Sequence, residues 1–235
     1  MGRLFGFTWM GVLPAMSLGL YSESTIGHSV KGEPILCYSV GVGMDAVLVI
    51  GGTHGDEIEG VWLVEKFLAD AKAKDWDLTE QTIYIISRHN PDGIAARTRH
   101  NANGVDLNRN FAEGWEPTPS AQRYHPGPNA LSEPETCALV NFIAIRPEIK
   151  RVVTIHTPFD FIDYDGDEAK RLAELMSAKN GMPVKRIEYA TPGSLGHFCR
   201  ARNLPLVTVE LPKGGTPDSL WAKHRDALWA FVKGS

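Results

Sequence analysis

Cysteine and positive charge are both in short supply in this chain, and each shortage argues against a class of protein. Only three cysteines occur in 235 residues, without Cys-x-x-Cys spacing, so a disulfide framework or a cysteine-bound zinc cluster is not expected and a reducing compartment fits best. The formal net charge is −4, and no Lys/Arg cluster is interleaved with aromatic residues. Nucleic acid is therefore not an expected partner.

No convincing membrane span is found either. One apolar segment, residues 4–20, is interrupted by Pro14 and is too short to cross a bilayer. It follows a single Arg3 like the core of an export signal, but a small-x-small cleavage site is lacking. We expect residues 1–25 to form an apolar N-terminal arm that is retained on a cytoplasmic protein. The alternative is an export signal and a periplasmic location.

Apolar runs of strand length alternate with helical patterns, which is typical of a layered α/β domain. No composition break or repeat divides the chain, so residues 26–235 are expected to form one domain. The predicted strands are 34–38, 46–50, 82–87, 151–156 and 206–211. The predicted helices are 57–71, one with a capping box over Ser132 to Glu135 that stops at Pro147, 168–179, and one opening at Thr216. A polar connection, 90–131, is long enough to be functional or disordered.

Three residues have the types and spacing of a catalytic zinc site. His54 and Glu57 are three apart just after a predicted strand, so one turn can aim both side chains at one point. His156 ends another predicted strand and is the natural third ligand. Two ligands from one turn and a third from a remote strand leave a position for water. A His-x-x-Glu pair alone also fits a helix start with an acidic residue near the dipole.

Glu210 interrupts a strand that otherwise reads as buried on both faces. An unpaired buried charge is costly, so something should compensate it. A metal-bound water at the strand end would do so, with Glu210 as general base. The alternative is an edge-strand glutamate facing solvent.

The segment Asp106-Leu107-Asn108-Arg109-Asn110 places two amides and a guanidinium within a few residues. Arginine forms bidentate pairs with carboxylates, so Asn108 and Arg109 could dock an anionic substrate group. Arg99 could stabilise an oxyanion nearby. These side chains could equally brace the long loop.

Taken together, the motifs resemble the zinc carboxypeptidase family of metallopeptidases, from about Ile26 to Phe231. The resemblance rests on His-x-x-Glu, Asn-Pro-Asp-Gly at 90–93, Asp-Leu-Asn-Arg-Asn at 106–110, and the isolated His156 and Glu210. It implies a three-layer α/β/α sandwich around a mixed, mostly parallel sheet. It also implies one zinc ion held by His54, Glu57 and His156.

The same resemblance implies roles for other residues. Glu210 would activate water, Arg99 would support the oxyanion, and Asn108 with Arg109 would grip a substrate carboxylate. Tyr189 is near the place of a mobile-loop tyrosine, and Ser194 is a candidate substrate contact beside Leu195, which would line a specificity pocket. Three histidines in or beside the long connection are expected not to be ligands: His89, His100 and His125.

Within the family, the compact size and the stretches 99–111, 132–136 and 191–194 look like the bacterial murein peptide amidases. That likeness implies hydrolysis of the amide between γ-D-glutamate and meso-diaminopimelate in a small anionic peptide, the murein tripeptide, by a monomer or homodimer. Asp163 and Asp165 could then contact a cationic substrate amine, although a solvated acidic turn is the favoured interpretation.

Three alternatives remain open at this point. The first is a zinc deacylase of N-acyl amino acids, like aspartoacylase, which would use similar ligands and the same carboxylate-binding arginine. The second is a carboxypeptidase of other specificity. The third is a non-catalytic zinc-binding module for cell-wall peptides, which would need no base such as Glu210 beside the metal.

Overall fold

A seven-stranded mixed sheet forms the centre of the protein, as seen in a computed structural model that describes residues 21–73, 76–119 and 121–235. The strands are β1 (Tyr21–His28), β2 (Pro34–Gly41), β3 (Asp45–Ile50), β4 (Gln81–Ile86), β5 (Ile149–His156), β6 (Phe161–Asp165) and β7 (Leu206–Glu210). Their order is β1-β2-β4-β3-β5-β7-β6. The four central strands run parallel, and antiparallel strands flank them at both edges.

Helices cover both faces of this sheet. They are α1 (Ile58–Ala73), α2 (Pro91–Ala96), α3 (Pro134–Ala144), α4 (Asp167–Asn180), α5 (Leu195–Arg200) and α6 (Pro217–Lys233). Alternate residues of a strand face opposite sides, and β3 divides its apolar side chains in this way. Val47 and Val49 pack in one core with α1, α4 and α6, whereas Leu48 and Ile50 pack in a second core with α3 and α5. The predicted three-layer α/β/α sandwich is confirmed.

The predicted strands and helices are all present, with ends shifted by a few residues. Four elements were not predicted: β1, β6, α2 and α5. Residues 1–20 of the predicted N-terminal arm lie outside the described residues, and residues 21–25 begin β1. Among the helices that the structure describes, none is both long and apolar enough to cross a membrane.

The capping box predicted at the start of α3 is wrong. Glu133 occupies the N-cap position and its side chain makes no capping bond. The carboxylate of Glu135 instead accepts hydrogen bonds from the backbone N–H of Val30 and from Asn101 Nδ2. A capping box of the expected kind is present at the start of α6, between Thr216 and Ser219.

Candidate active site

The carboxyl ends of the parallel strands bring the predicted site residues together. His54 and Glu57 follow β3, while His156 and Glu210 are the last residues of β5 and β7 and are paired in register. Ligands of open α/β sheets commonly bind at this edge. The turn after β3 is closed by a hydrogen bond from Glu57 N to His54 O, 3.3 Å long, and turns both side chains to one side.

His54, Glu57 and His156 form a compact group of possible metal ligands, with their ligand atoms all within 4.8 Å of one another. The Nδ1 atoms of the two histidines are 3.1 Å apart. Each lies 2.9 Å from a different oxygen of Glu57. Ligand atoms of a tetrahedral zinc site are separated by about 3.3 Å, since Zn–N and Zn–O bonds are about 2.0–2.1 Å long. The donor set and its spacing fit a zinc ion.

Hydrogen bonds on the far side of each imidazole orient its ligand nitrogen. His54 Nε2 donates to Asp106 Oδ1 at 3.0 Å, which leaves the lone pair of Nδ1 free for a cation. His156 Nε2 lies 3.2 Å from Thr154 Oγ1 and can donate to it in the same way. Both rings are 3% exposed, so these partners replace water.

The charges of the group favour a bound cation. Burial lowers the pKa of His54, but the carboxylates of Glu57 and Asp106 outweigh it and raise that pKa to about 9. Burial likewise raises the pKa of Glu57, yet His54 and His156 bring it well below its usual range. A divalent cation would replace the protons that this negative environment attracts, because metal ligands bind in their deprotonated forms.

Asp106 is the site residue that sequence reasoning missed, although it belongs to the quoted Asp-Leu-Asn-Arg-Asn segment. It is fully buried, and besides His54 it binds Arg99 through Oδ2, at 2.9 Å from Nε and 2.8 Å from Nη2. Its Oδ1 also accepts from Asn108 N at 3.0 Å. One carboxylate therefore fixes a ligand, the neighbouring arginine and the start of the 3₁₀ turn Leu107–Arg109.

Arg99 lies directly beside the ligand group. Its Nη1 is 3.3 Å from both Glu57 Oε1 and His54 Nδ1. Burial lowers the pKa of Arg99, but Asp106 and Glu57 raise it overall, so the guanidinium stays charged. A cation held by these ligand atoms would leave Nη1 free to donate to a substrate oxygen.

Glu210 is buried and incompletely paired. It is 6% exposed, and its Oε2 has no hydrogen-bond partner in the described part of the chain. Burial raises the pKa of this carboxyl; among the nearby charges, His156 lowers it and Glu57 raises it. A buried carboxylate oxygen without a hydrogen-bond partner destabilises the folded state, unless a ligand supplies the missing partner. The alternative of an edge-strand glutamate in solvent is wrong, because β7 lies between β5 and β6.

Asn108 and Arg109 also line the cavity that contains Glu210 and the ligand group, which has a volume of about 240 Å³. Asn108 Oδ1 accepts from Leu195 N at 2.9 Å, and no described residue accepts from its Nδ2. Arg109 donates from Nη1 to Asn108 O at 2.6 Å, and its guanidinium carbon is 5.0 Å from the ring centre of Tyr124. The amide and the guanidinium thus offer donors to an anionic group in the cavity.

The other predicted contacts also line this cavity. Tyr189 is 49% exposed, Leu195 is buried, and Ser194 is the N-cap of α5, where its Oγ accepts from His197 N at 3.3 Å. A contact between Ser194 and substrate would therefore use the same hydroxyl oxygen that caps α5. His89 and His100 contact backbone carbonyls, those of Glu135 and Arg123.

The long connection contains ordered elements in its described part. These are α2 and two 3₁₀ turns, Leu107–Arg109 and Gln122–Tyr124. Asn110 is fully buried and ties the middle of the segment to its C-terminal end, donating to Pro126 O at 2.8 Å and accepting from Glu133 N at 3.1 Å. This bracing fixes Arg99, Asp106 and Asn108 at the cavity without a regular helix or strand.

The solvated acidic turn predicted at Asp163 and Asp165 is wrong. Both residues belong to β6, are 5% and 8% exposed, and line the cavity. They are buried because β6 pairs with β7 and because Arg186 and Arg200 lie against the two carboxylates.

A comparison with known families assigns the chain. A model of the zinc carboxypeptidase family matches residues 8–202, which is most of the chain. The chain belongs to the zinc carboxypeptidase family. The sequence-based resemblance to this zinc-dependent family is confirmed, and the roles of the single site residues stay predictions.

Two relatives within the zinc carboxypeptidases match over most of their length. Murein peptide amidase A of Vibrio campbellii is 33% identical over 229 residues, covering 91% of this chain and 88% of the amidase. The protein of that name from Escherichia coli K12 is 32% identical over 215 residues, covering 85% of this chain and 86% of the amidase.

Solved structures agree with this assignment. Murein-tripeptide amidase MpaA from Escherichia coli O157 superposes with a TM-score of 0.70 at 28% identity, covering 90% of each chain. Carboxypeptidase A from Helicoverpa armigera gives 0.78 at 17% identity, covering 92% of this chain and 67% of that one, and shows the shared fold. The chain is a metallopeptidase of the amidase and carboxypeptidase type, which rules out a non-catalytic binding module.

Proposed function

We propose that this zinc carboxypeptidase hydrolyses the amide bond between γ-D-glutamate and meso-diaminopimelate in small murein peptides. The similarity to murein peptide amidases over nearly the full length of both chains supports this bond. The cavity supports a substrate of this class, because Arg99, Asn108 and Arg109 offer donors to the several carboxylates of such a peptide.

In this proposal, His54, Glu57 and His156 hold one zinc ion. Zinc bound there supplies a Lewis acid that polarises the scissile carbonyl and lowers the pKa of a water molecule. Glu210 would accept a proton from the attacking water as the water oxygen bonds to the carbonyl carbon. The same carboxyl would then pass this proton to the leaving nitrogen as the C–N bond breaks, and the second proton of the water would follow it, giving a carboxylate and an ammonium group.

Arg99 and the Asn108–Arg109 pair hold the substrate during these steps. Arg99 donates to the carbonyl oxygen as it becomes negative, since its Nη1 is 3.3 Å from two ligand atoms. Asn108 and Arg109 bind the carboxylate of the amino acid being released. Tyr189 and Ser194 remain predicted substrate contacts at the cavity wall, Tyr189 at its exposed mouth.

The observation that carries the proposal is the buried Glu210 Oε2 without a partner, in one cavity with the ligand group and Arg99. A buried carboxylate that the fold does not satisfy is placed to accept a proton from a ligand. Its position at the end of β7, in register with His156 at the end of β5, sets it beside the metal ligands.

A substrate panel tests the proposal and separates it from its alternatives. The zinc-loaded protein is incubated with L-Ala-γ-D-Glu-meso-diaminopimelate, with an N-acetyl amino acid and with a peptide that has an ordinary α-linked C-terminal residue. We expect kcat/KM to be highest for the first. Turnover of the N-acetyl amino acid alone would establish a deacylase, and turnover of the α-linked peptide alone a carboxypeptidase of other specificity.

A further inference from the structure

The cavity continues beyond Glu210 along β6 and β7, and the proposed reaction gives no role to this part. Asp163 on β6 is paired directly with Thr208 on β7, and Phe161 with Glu210. Directly paired residues and residues two apart on a strand share one face, so Asp163 and Glu210 face the same side of the sheet. The advance of two residues places Asp163 about 7 Å farther along the strands.

Asp163 is a buried anion with little compensation. Its Oδ1 accepts from Ile187 N at 3.1 Å, and Arg186 Nε lies 3.5 Å from the same oxygen. Burial raises the pKa of Asp163, and Arg186 only partly offsets the effect. Asp165 is better compensated, because Arg200 and Arg186 both contact its Oδ1. An added cation would therefore be favourable beside Asp163.

Arg186 keeps capacity to bind an anion. Its contacts of 3.5 Å with Asp163 and 3.4 Å with Asp165 are longer than charge-assisted hydrogen bonds, which are about 2.7–2.9 Å. The side chain is 43% exposed and lines a groove with Ile187 and Tyr189, two residues that also line the cavity. The cavity therefore has a buried negative group at the end where it meets this groove, and the groove presents an accessible positive group next to it.

We propose that this end of the cavity, the distal subsite formed by Asp163 and Arg186, binds a zwitterionic side-chain end of the amino acid that is released. Asp163 binds the ammonium group and Arg186 binds the carboxylate. This inference rests on the proposed function and names the residues that would read the distal end of diaminopimelate.

The reach of the substrate matches the position of the subsite. In diaminopimelate the distal carbon that bears the amine and the carboxylate is four carbon–carbon bonds from the carbon that bears the scissile nitrogen. Bonds of about 1.5 Å in a zigzag chain span about 5 Å, and the C–N bond of the ammonium adds about 1 Å. The distal ammonium thus lies about 6 Å from the carbon that bears the scissile nitrogen. This length is close to the offset of about 7 Å along the strands between Glu210 and Asp163.

Three peptides that differ only in the released residue test this assignment. L-Ala-γ-D-Glu is linked to meso-diaminopimelate, to L-lysine, which keeps the ammonium but not the carboxylate, or to L-norleucine, which has neither. The ratios of kcat/KM are measured for the wild type and for Asp163→Asn, Asp163→Ser and Arg186→Gln. Glu174→Gln is the matched control, since Glu174 is an exposed acid on α4, the helix that follows β6, and lines neither the cavity nor the groove.

We expect both Asp163 variants to lower the preference for diaminopimelate and lysine over norleucine by roughly 10- to 100-fold, the range for a hydrogen-bonded buried charge. Arg186→Gln should lower the preference for diaminopimelate over lysine by about fivefold, less because the arginine is partly exposed. Glu174→Gln should leave all ratios as in the wild type.

The outcomes separate this inference from the proposed function. Turnover of the diaminopimelate peptide with unchanged ratios in the Asp163 variants would overturn the distal subsite and leave the reaction intact. Equal loss of activity on all three peptides would assign Asp163 a structural role and would also overturn it. Failure of the wild type to cleave any of the three would instead refute the proposed function, and the inference with it.

Discussion

Replacement of Asp106 by asparagine probes how the metal ligands are oriented. The aspartate accepts from His54 Nε2 through one oxygen and from Arg99 through the other. Asparagine has the same shape but a single acceptor oxygen. If that oxygen serves Arg99, the amide NH₂ faces His54 Nε2, which then favours the imidazole tautomer with its proton on Nδ1. That proton blocks the atom placed to bind zinc.

The expected loss follows from the role of such outer partners. Removing a carboxylate that orients a metal-bound histidine costs about 10- to 100-fold in metal affinity, which is about 1.4–2.7 kcal/mol. We expect the loss of zinc affinity in Asp106→Asn to be near 100-fold, because Asp106 is fully buried and water cannot replace the lost acceptor. The Arg99 contact is weakened as well, so kcat should fall even at saturating zinc.

Competitive titration of zinc against a chelator measures the dissociation constant, and circular dichroism checks that the variant is folded. Asp92→Asn is the matched control, since Asp92 is 3% exposed, accepts from Lys31 N at 3.0 Å and lies outside the cavity. A zinc affinity of folded Asp106→Asn within threefold of the wild type would refute the reasoning. An equal loss in Asp92→Asn would show that any buried aspartate has this effect.

Three further predictions concern the base, the ligands and the loop. Glu210→Gln should keep zinc and the fold but lower kcat by at least about 100-fold, measured by steady-state kinetics; unchanged turnover would remove Glu210 from the mechanism. His156→Ala should lose stoichiometric zinc in elemental analysis, whereas full retention would show a different ligand set. Gly193→Ala should destabilise the protein by more than about 2 kcal/mol in denaturant unfolding, because its Cβ would lie 2.3 Å from Arg109 O at a φ of +65°. Gly32→Ala, also at positive φ but with nothing within 4 Å, is its control and should cost less.

The central strands could be predicted from the sequence because their burial leaves a continuous apolar pattern. Residues of β3 and β7 are nearly all buried, and both runs were recognised. In contrast, β1 is mostly exposed and polar, and its backbone pairing with β2 leaves no periodic signal. The β6 strand, Phe161–Asp165, was missed since two of its five residues are acidic, and only the arginines packed on them make their burial possible.

The candidate zinc ligands His54 and Glu57 could be found because they are three residues apart, and His156 and Glu210 because each stands at the end of an apolar strand pattern. The role of Asp106 could not, since the contact with His54 joins residues 52 apart in the chain and depends on how the loop folds. The same holds for Glu135, whose spacing from Ser132 suggested a capping box. Its carboxylate instead accepts hydrogen bonds from Asn101 Nδ2 and from the backbone N–H of Val30, 105 residues away.

Identification of the products by mass spectrometry tests the central claim most directly. The protein is incubated with L-Ala-γ-D-Glu-meso-diaminopimelate, with and without a zinc chelator, and zinc is added back to the chelated sample. The account predicts free meso-diaminopimelate and L-Ala-D-Glu, lost with the chelator and restored by zinc. Intact peptide in the zinc-loaded sample, cleavage at the L-Ala bond, or cleavage that persists after zinc removal would contradict it.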